Sequence, residues 1–326
     1  MLVQVACFFI AFSYVVSLYM IPAEIRKRRR DDPLHIQYRL IFSTFSTISS
    51  VVLLYFLSSK KLVTLPGDSF LESIGFKLDR LLPSVVISFV LMIVFYLGPV
   101  TVHITMLVLK SVYKIDKYGV IMGSKETNFV EEFMKQIDNT IASVNLRSQS
   151  LQNFRNLIFA PISEEIAFRA LMIPLLFSVS TTSPVWLAVF SPIWFALAHV
   201  HHIYEKIRDG SSVVSAFVTV MVQLTYTSIF GVIAALMLMR TYSIAGPIVS
   251  HMICNICGLP CLDFMTAPPR EPVSLSYHRM GSDWSVLYPY RYFLLFLHGF
   301  GLLMFSLCIF PFTETYAAVS PLWAYN

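Results

Sequence analysis

NLIFAPISEEIAFRALMIPLLF, residues 156–177, is the stretch on which the fold turns. Both ends are apolar enough for hydrocarbon, yet Glu164, Glu165 and Arg169 stand between them. The rest of the chain says which environment that is. Of 326 residues, 56% are hydrophobic and 13% charged, and mean hydropathy is +0.68. A soluble domain carries about 25% charged residues. So much apolar surface exceeds what one globular core hides, which makes the bilayer the solvent. Net charge is +5, with the basic residues at loop positions. That distribution suits a membrane protein and argues against a nucleic-acid partner. Five cysteines, Cys7, Cys254, Cys257, Cys261 and Cys308, fall in or beside apolar segments. An odd number there argues against a disulfide framework.

Working outward, apolar runs predict roughly eight spans, at about 2–22, 40–58, 83–109, 156–178, 184–203, 212–239, 243–262 and 289–311. Each is near the ~20 residues that cross ~30 Å of hydrocarbon. The first differs from a secretory signal, because no charge precedes it and RKRRR (Arg26–Arg30) follows it. It reads as a retained span with Arg26–Arg30 on the cytosolic side. The spans at 156–178 and 243–262 carry polar residues and prolines, as broken helices lining a cavity do. Within 110–155, Phe129, Val130, Phe133, Met134, Ile137 and Ile141 recur at helical intervals. They predict an amphipathic helix lying on the membrane or over a cavity. Pro268, Pro269 and Pro272 predict irregular structure at the start of the loop 263–288. The fold class is therefore all-α, a polytopic membrane bundle with an intramembrane cavity. It forms one domain over 1–326: N-terminal spans and amphipathic segment in 1–150, a core in 151–262, and a loop and last span in 263–326.

Ionisable groups inside spans cost about 2.5–3.5 kcal/mol each on insertion scales and face partners or cavities. Three polar islands stand out. In Glu164-Glu165-x3-Arg169, Glu165 and Arg169 are spaced i, i+4 for an intrahelical ion pair, which leaves Glu164 facing elsewhere. The competing reading is a solvated helix end after Pro161, capped by Ser163. Phe195-x3-His199 closes an apolar run, with His201 and His202 at its boundary. His251-x3-Asn255 puts an imidazole and an amide on one face of a span, where interhelical hydrogen bonding is the alternative use.

Taken together the islands suggest hydrolysis. A buried Glu serves as general base on water, a His orients it, and a second His with an Asn stabilises an oxyanion. A metal centre through Glu164, His199 and His251 is the rival. Zinc at His251, Cys254, Cys257 and Cys261 is the weaker one, because one helix does not converge four ligands. H-E-x-x-H, G-x-S-x-G and G-x-G-D signatures are absent from the sequence.

The ordered set E-E-x3-R, F-x3-H and H-x3-N, each in its own membrane segment, resembles the type II CAAX prenyl endopeptidases, the Ras-converting enzymes of the wider ABI group. APISEEIAFRA, FALAHVHHIYEKIRDG, QLTYTSIFG and GPIVSHMICN resemble its eukaryotic branch over about 150–260. The resemblance implies that Glu164 and His199 activate the attacking water and that His251 and Asn255 stabilise the oxyanion. It implies supporting roles for Glu165, Arg169 and Phe195. It implies removal of the last three residues of farnesylated or geranylgeranylated CAAX proteins, such as Ras-type small GTPases. It further implies a site in the endoplasmic reticulum membrane facing the cytosol, and no cofactor; zinc stays open from sequence. A prenyl chain contributes about 0.8 kcal/mol per buried CH2, so such a substrate already resides in the lipid. Two other functions compete: an ABI-type protein with another peptide substrate or a non-catalytic assembly role, and a transporter using buried Glu and His as a proton relay.

Overall fold

The computed structural model describes residues 1–115, 120–126, 128–144, 150–180, 183–267 and 283–323. Regular structure is almost entirely helical. Five helical stretches are long and apolar enough to cross a membrane: Pro33–Ser59, Phe70–Phe95, Pro184–Arg208, Val213–Thr241 and Asp283–Ala317. Leu2–Ser17, Leu97–Val112 and Ala245–Cys257 are shorter apolar helices. This is a multi-pass helical membrane protein, as the composition requires.

Three boundaries differ from expectation. The run 83–109 breaks at Tyr96 into Leu78–Phe95 and Leu97–Val112. The segment 243–262 is helical only over Ala245–Cys257, 13 residues and about 20 Å of rise, too short to cross hydrocarbon. Tyr113–Ile115 and Ile121–Ser124 pair as a small antiparallel hairpin inside a stretch with no sequence signal for strands. Residues 268, 269 and 272, whose prolines predicted an irregular loop, lie outside the described residues.

The described residues form two compact units. One comprises Met1–Phe89, Ser150–Asn255 and Phe310–Asn326; the other comprises Val90–Gln149 and Ile256–Ile309. In the first, α1 (Leu2–Ser17) packs against α2 (Pro33–Ser59), whose start is fixed by Asp32 accepting from the Leu34 and His35 amides. In the middle of α2, over 41–52, Ser43, Ser46, Thr47 and Ser50 are buried, and Ile41, Phe45, Ile48 and Val52 are exposed. A soluble helix has the reverse pattern. Small residues let two backbones approach closely when the surroundings are lipid, and Ser46 donates to Ser13 Oγ across the contact at 3.2 Å.

The second unit contains the expected amphipathic helix, Phe129–Val144. Its Phe129, Val130 and Met134 are exposed, as an apolar face lying on a membrane surface would be. Glu132 accepts from Lys125 Nζ at 2.6 Å, which holds its carboxyl below the usual range. A cluster of Val102, Met106, Phe264, Leu287 and Leu294 forms this unit's own core.

Candidate active site

The decisive stretch is helical from 150 to 177, and Pro161 does not start it. Proline lacks an amide proton and its ring collides with the carbonyl four residues back. The helix accommodates Pro161 with a π-helical turn at Arg155–Phe159, and Pro174 with another at Ile166–Leu171. Widened turns of this kind are frequent at functional sites. The reading of a solvated helix end capped by Ser163 therefore fails: Ser163 and Glu165 are buried in mid-helix. Ser163 Oγ instead pairs with the Tyr14 hydroxyl of α1 at 2.9 Å.

Glu165 is wholly buried, and its Oε1 accepts from Arg169 Nη1 at 3.2 Å, the expected i, i+4 pair. The same oxygen accepts from His251 Nδ1 at 2.7 Å. An ionised carboxylate only accepts, so that bond places the proton on Nδ1. His251 Nε2 then lies 3.9 Å from Glu164 Oε2. One imidazole thus sits between the two carboxylates. Glu165 is tied to a cation, whereas Glu164 has no arginine or lysine within ion-pair distance among the described residues.

Aromatic rings wall this group. The Arg169 guanidinium lies over Phe195 at 4.2 Å and over Phe230 at 5.6 Å, and Phe230 is 4.8 Å from the His251 ring. Such stacking adds cation–π attraction in a site removed from water. Phe195 also meets His199 edge-on at 4.5 Å. His199 Nδ1 donates to the Phe195 carbonyl at 2.7 Å, which leaves Nε2 as the lone-pair nitrogen of the neutral ring. The Phe195-x3-His199 spacing thus works through a backbone bond as well as ring contact.

The structure brings together Glu164, Glu165, Arg169, Phe195 and His251. His199 joins them through Phe195 rather than by a direct hydrogen bond. Asn255 departs from the expected burial: it is exposed, and its Nδ2 donates to the Asn156 carbonyl at 2.8 Å. Tyr14, Asn156 and Phe230 are further neighbours that sequence spacing did not mark, and Ser163, read from sequence as a cap, is another. Phe230 and Tyr14 look like any aromatic in an apolar span. Asn156 is an amide at the edge of an apolar run, with nothing in the sequence to relate it to Asn255.

The rival metal set Glu164, His199 and His251 is not what the fold gathers. Among the described residues, His201, His202 and Glu205 are the group with ligand atoms within 4.8 Å of one another. Glu205 there already accepts from His202 Nδ1 at 2.9 Å and faces Arg39 at 3.6 Å.

A multi-pass helical membrane protein with a buried carboxylate–imidazole–arginine group defines the class: a candidate intramembrane hydrolase. A family model described as Type II CAAX prenyl endopeptidase Rce1-like matches residues 147–257, the stretch holding all seven expected site residues. CAAX prenyl protease 2 of Homo sapiens is 30% identical over 276 residues, covering 83% of this chain and 75% of that protein. CAAX prenyl protease 2 of Arabidopsis thaliana is 31% identical over 264 residues, covering 78% and 79%. The Saccharomyces cerevisiae protein of the same name is 26% identical over 272 residues, covering 77% and 78%. No solved structure matches. The chain belongs to the type II CAAX prenyl endopeptidase family, and is a protease of CAAX processing.

Proposed function

We propose that this protein removes the C-terminal tripeptide from farnesylated or geranylgeranylated CAAX proteins, Ras-type small GTPases among them. It works from the endoplasmic reticulum membrane with its site open to the cytosol. The observation that carries the mechanism is the division between the two glutamates. Glu165 is held by Arg169 and His251, and Glu164 is the carboxylate with no arginine or lysine paired to it among the described residues.

Glu164 takes a proton from water as hydroxide adds to the scissile carbonyl carbon. His199, with Nδ1 fixed on the Phe195 carbonyl, offers Nε2 to orient that water. The negative oxygen then needs donors. His251, whose Nδ1–H is held by Glu165, donates from Nε2 in its doubly protonated form, and the Asn255 amide lies one helical turn further on. To serve, Asn255 exchanges the Asn156 carbonyl for the oxyanion. The C–N bond breaks as Glu164 returns its proton to the amine of the departing tripeptide. A prenylated substrate reaches such a site by lateral diffusion, since its lipid already holds it in the bilayer.

The test offers the purified protein, in detergent or liposomes, a farnesylated CAAX peptide and its unprenylated twin. Mass spectrometry follows release of the terminal tripeptide. Cleavage of the prenylated peptide alone is expected; equal cleavage of both, or of neither, sinks the proposal.

A further inference from the structure

A cavity of about 210 Å³ in the first unit adjoins the proposed site, and its charge is one-sided. Arg26, Arg30, Arg39, Lys206 and Arg208 line it against Glu205 and Asp209, a formal balance of five positive and two negative, or +3 with histidines neutral. Arg26, Arg30 and Lys206 pair with no carboxylate among the described residues. Arg26 donates to the Tyr19 carbonyl at 2.7 Å. Arg39 is largely buried and is 3.6 Å from Glu205 Oε1, too long for a good hydrogen bond. Five cations against two carboxylates, with Arg26, Arg30 and Lys206 unpaired among the described residues, make this an anion site. They also disfavour a divalent cation at the neighbouring His201, His202 and Glu205.

The cavity lies within a short peptide's reach of the chemistry. His202 lines it, and the His202 ring is 5.6 Å from that of His199. His202 Nδ1 donates to Glu205 at 2.9 Å, and Glu205 faces Arg39. Three residues in extended form span about 10 Å. A substrate cut three residues from its end presents a free carboxylate at that distance from the scissile bond.

Resting on the proposed function, we infer that this cavity is the subsite for the substrate's terminal carboxylate. It measures the length of the departing peptide from Arg39, Lys206 and their neighbours to His199. Guanidinium and ammonium groups bind a carboxylate through charge-assisted bonds, which a neutral amide end cannot replace.

The experiment measures binding apart from turnover. Full-length Glu164→Ala protein in detergent is titrated with a fluorescent farnesylated CAAX peptide ending in a free acid, and with the same peptide ending in a carboxamide. The acid should bind about tenfold tighter. The Arg30→Gln/Lys206→Gln double variant should bring the acid down to the amide's affinity and leave the amide unchanged. In the active enzyme, the same double variant should raise KM for the acid and spare kcat. Equal binding of acid and amide overturns the inference, as does a double variant that weakens both alike. A response confined to vesicles containing phosphatidylserine, with no preference for the acid, also overturns it and marks a lipid-headgroup site. Discrimination in binding without cleavage by the wild type would instead remove the proposed chemistry and leave the subsite standing.

Discussion

At the residue scale, the two adjacent glutamates are expected to fail in different ways. Glu164→Ala removes the proposed base, so turnover should fall by about 10²–10⁴ with expression and thermal stability near wild type. His199→Ala should act similarly; a fully active variant of either kind would refute its role. Glu165→Ala instead leaves Arg169 as a buried cation without its carboxylate, which costs about 3–5 kcal/mol. It should lower the unfolding temperature in detergent as well as activity. The Glu165→Ala/Arg169→Met double variant should recover much of that stability, since no charge is then stranded, and none of the activity. A double variant less stable than Glu165→Ala would show that the ion pair is not the source of the effect. The pairing of Glu165 with Arg169 was legible because i, i+4 neighbours meet on any helix. The bond from His251 to Glu165 was not, because 86 residues separate them and no local rule relates them. Asn255 shows the opposite limit. Its spacing from His251 predicts a shared face, but where the helix ends decides its exposure.

At the element scale, apolar runs located the spans and misjudged how they are built. Hydropathy sums over a window, so it reads 83–109 as one crossing and does not register the break at Tyr96. Nor does it show that Pro161 and Pro174 are absorbed by π-helical turns without ending the helix. A close approach also escapes it. Gly231, in Val213–Thr241, faces Pro192, and an added Cβ would lie 2.5 Å from the Pro192 Cβ and 3.3 Å from Arg169 Nη2. Proline cannot swing aside. Gly231→Ala should therefore cost about 1–3 kcal/mol by overpacking and disturb the guanidinium over Phe195. Thermal unfolding with parallel activity assays checks it, and unchanged stability would mean the two helices separate freely at this crossing.

At the scale of the whole molecule, the last described segment returns to the first unit and is fastened there by one buried cation. Arg240, near the end of Val213–Thr241, donates from Nη2 to the Phe310 carbonyl at 2.7 Å and to Glu314 at 2.8 Å, and from Nε to Thr313 at 2.5 Å. Its guanidinium also lies 4.6 Å from both the Phe310 and Trp323 rings. Leu322 is wholly buried in the same core as Leu238 and Met239. A planar, forked cation satisfies these acceptors and rings together; a lysine ammonium cannot. Arg240→Lys should thus be destabilising nearly as much as Arg240→Ala, by about 1–3 kcal/mol, because the Thr313 hydroxyl and the Phe310 carbonyl lose the donors that the fork supplies. Glu314→Gln should cost far less, because that carboxylate is 71% exposed and solvent screens the pair. The ranking is read from unfolding temperatures in one detergent, with protease sensitivity after residue 309 reporting release of the C-terminal segment. Full rescue by lysine would show that charge alone anchors this end, and that the ring contacts and the fork contribute nothing.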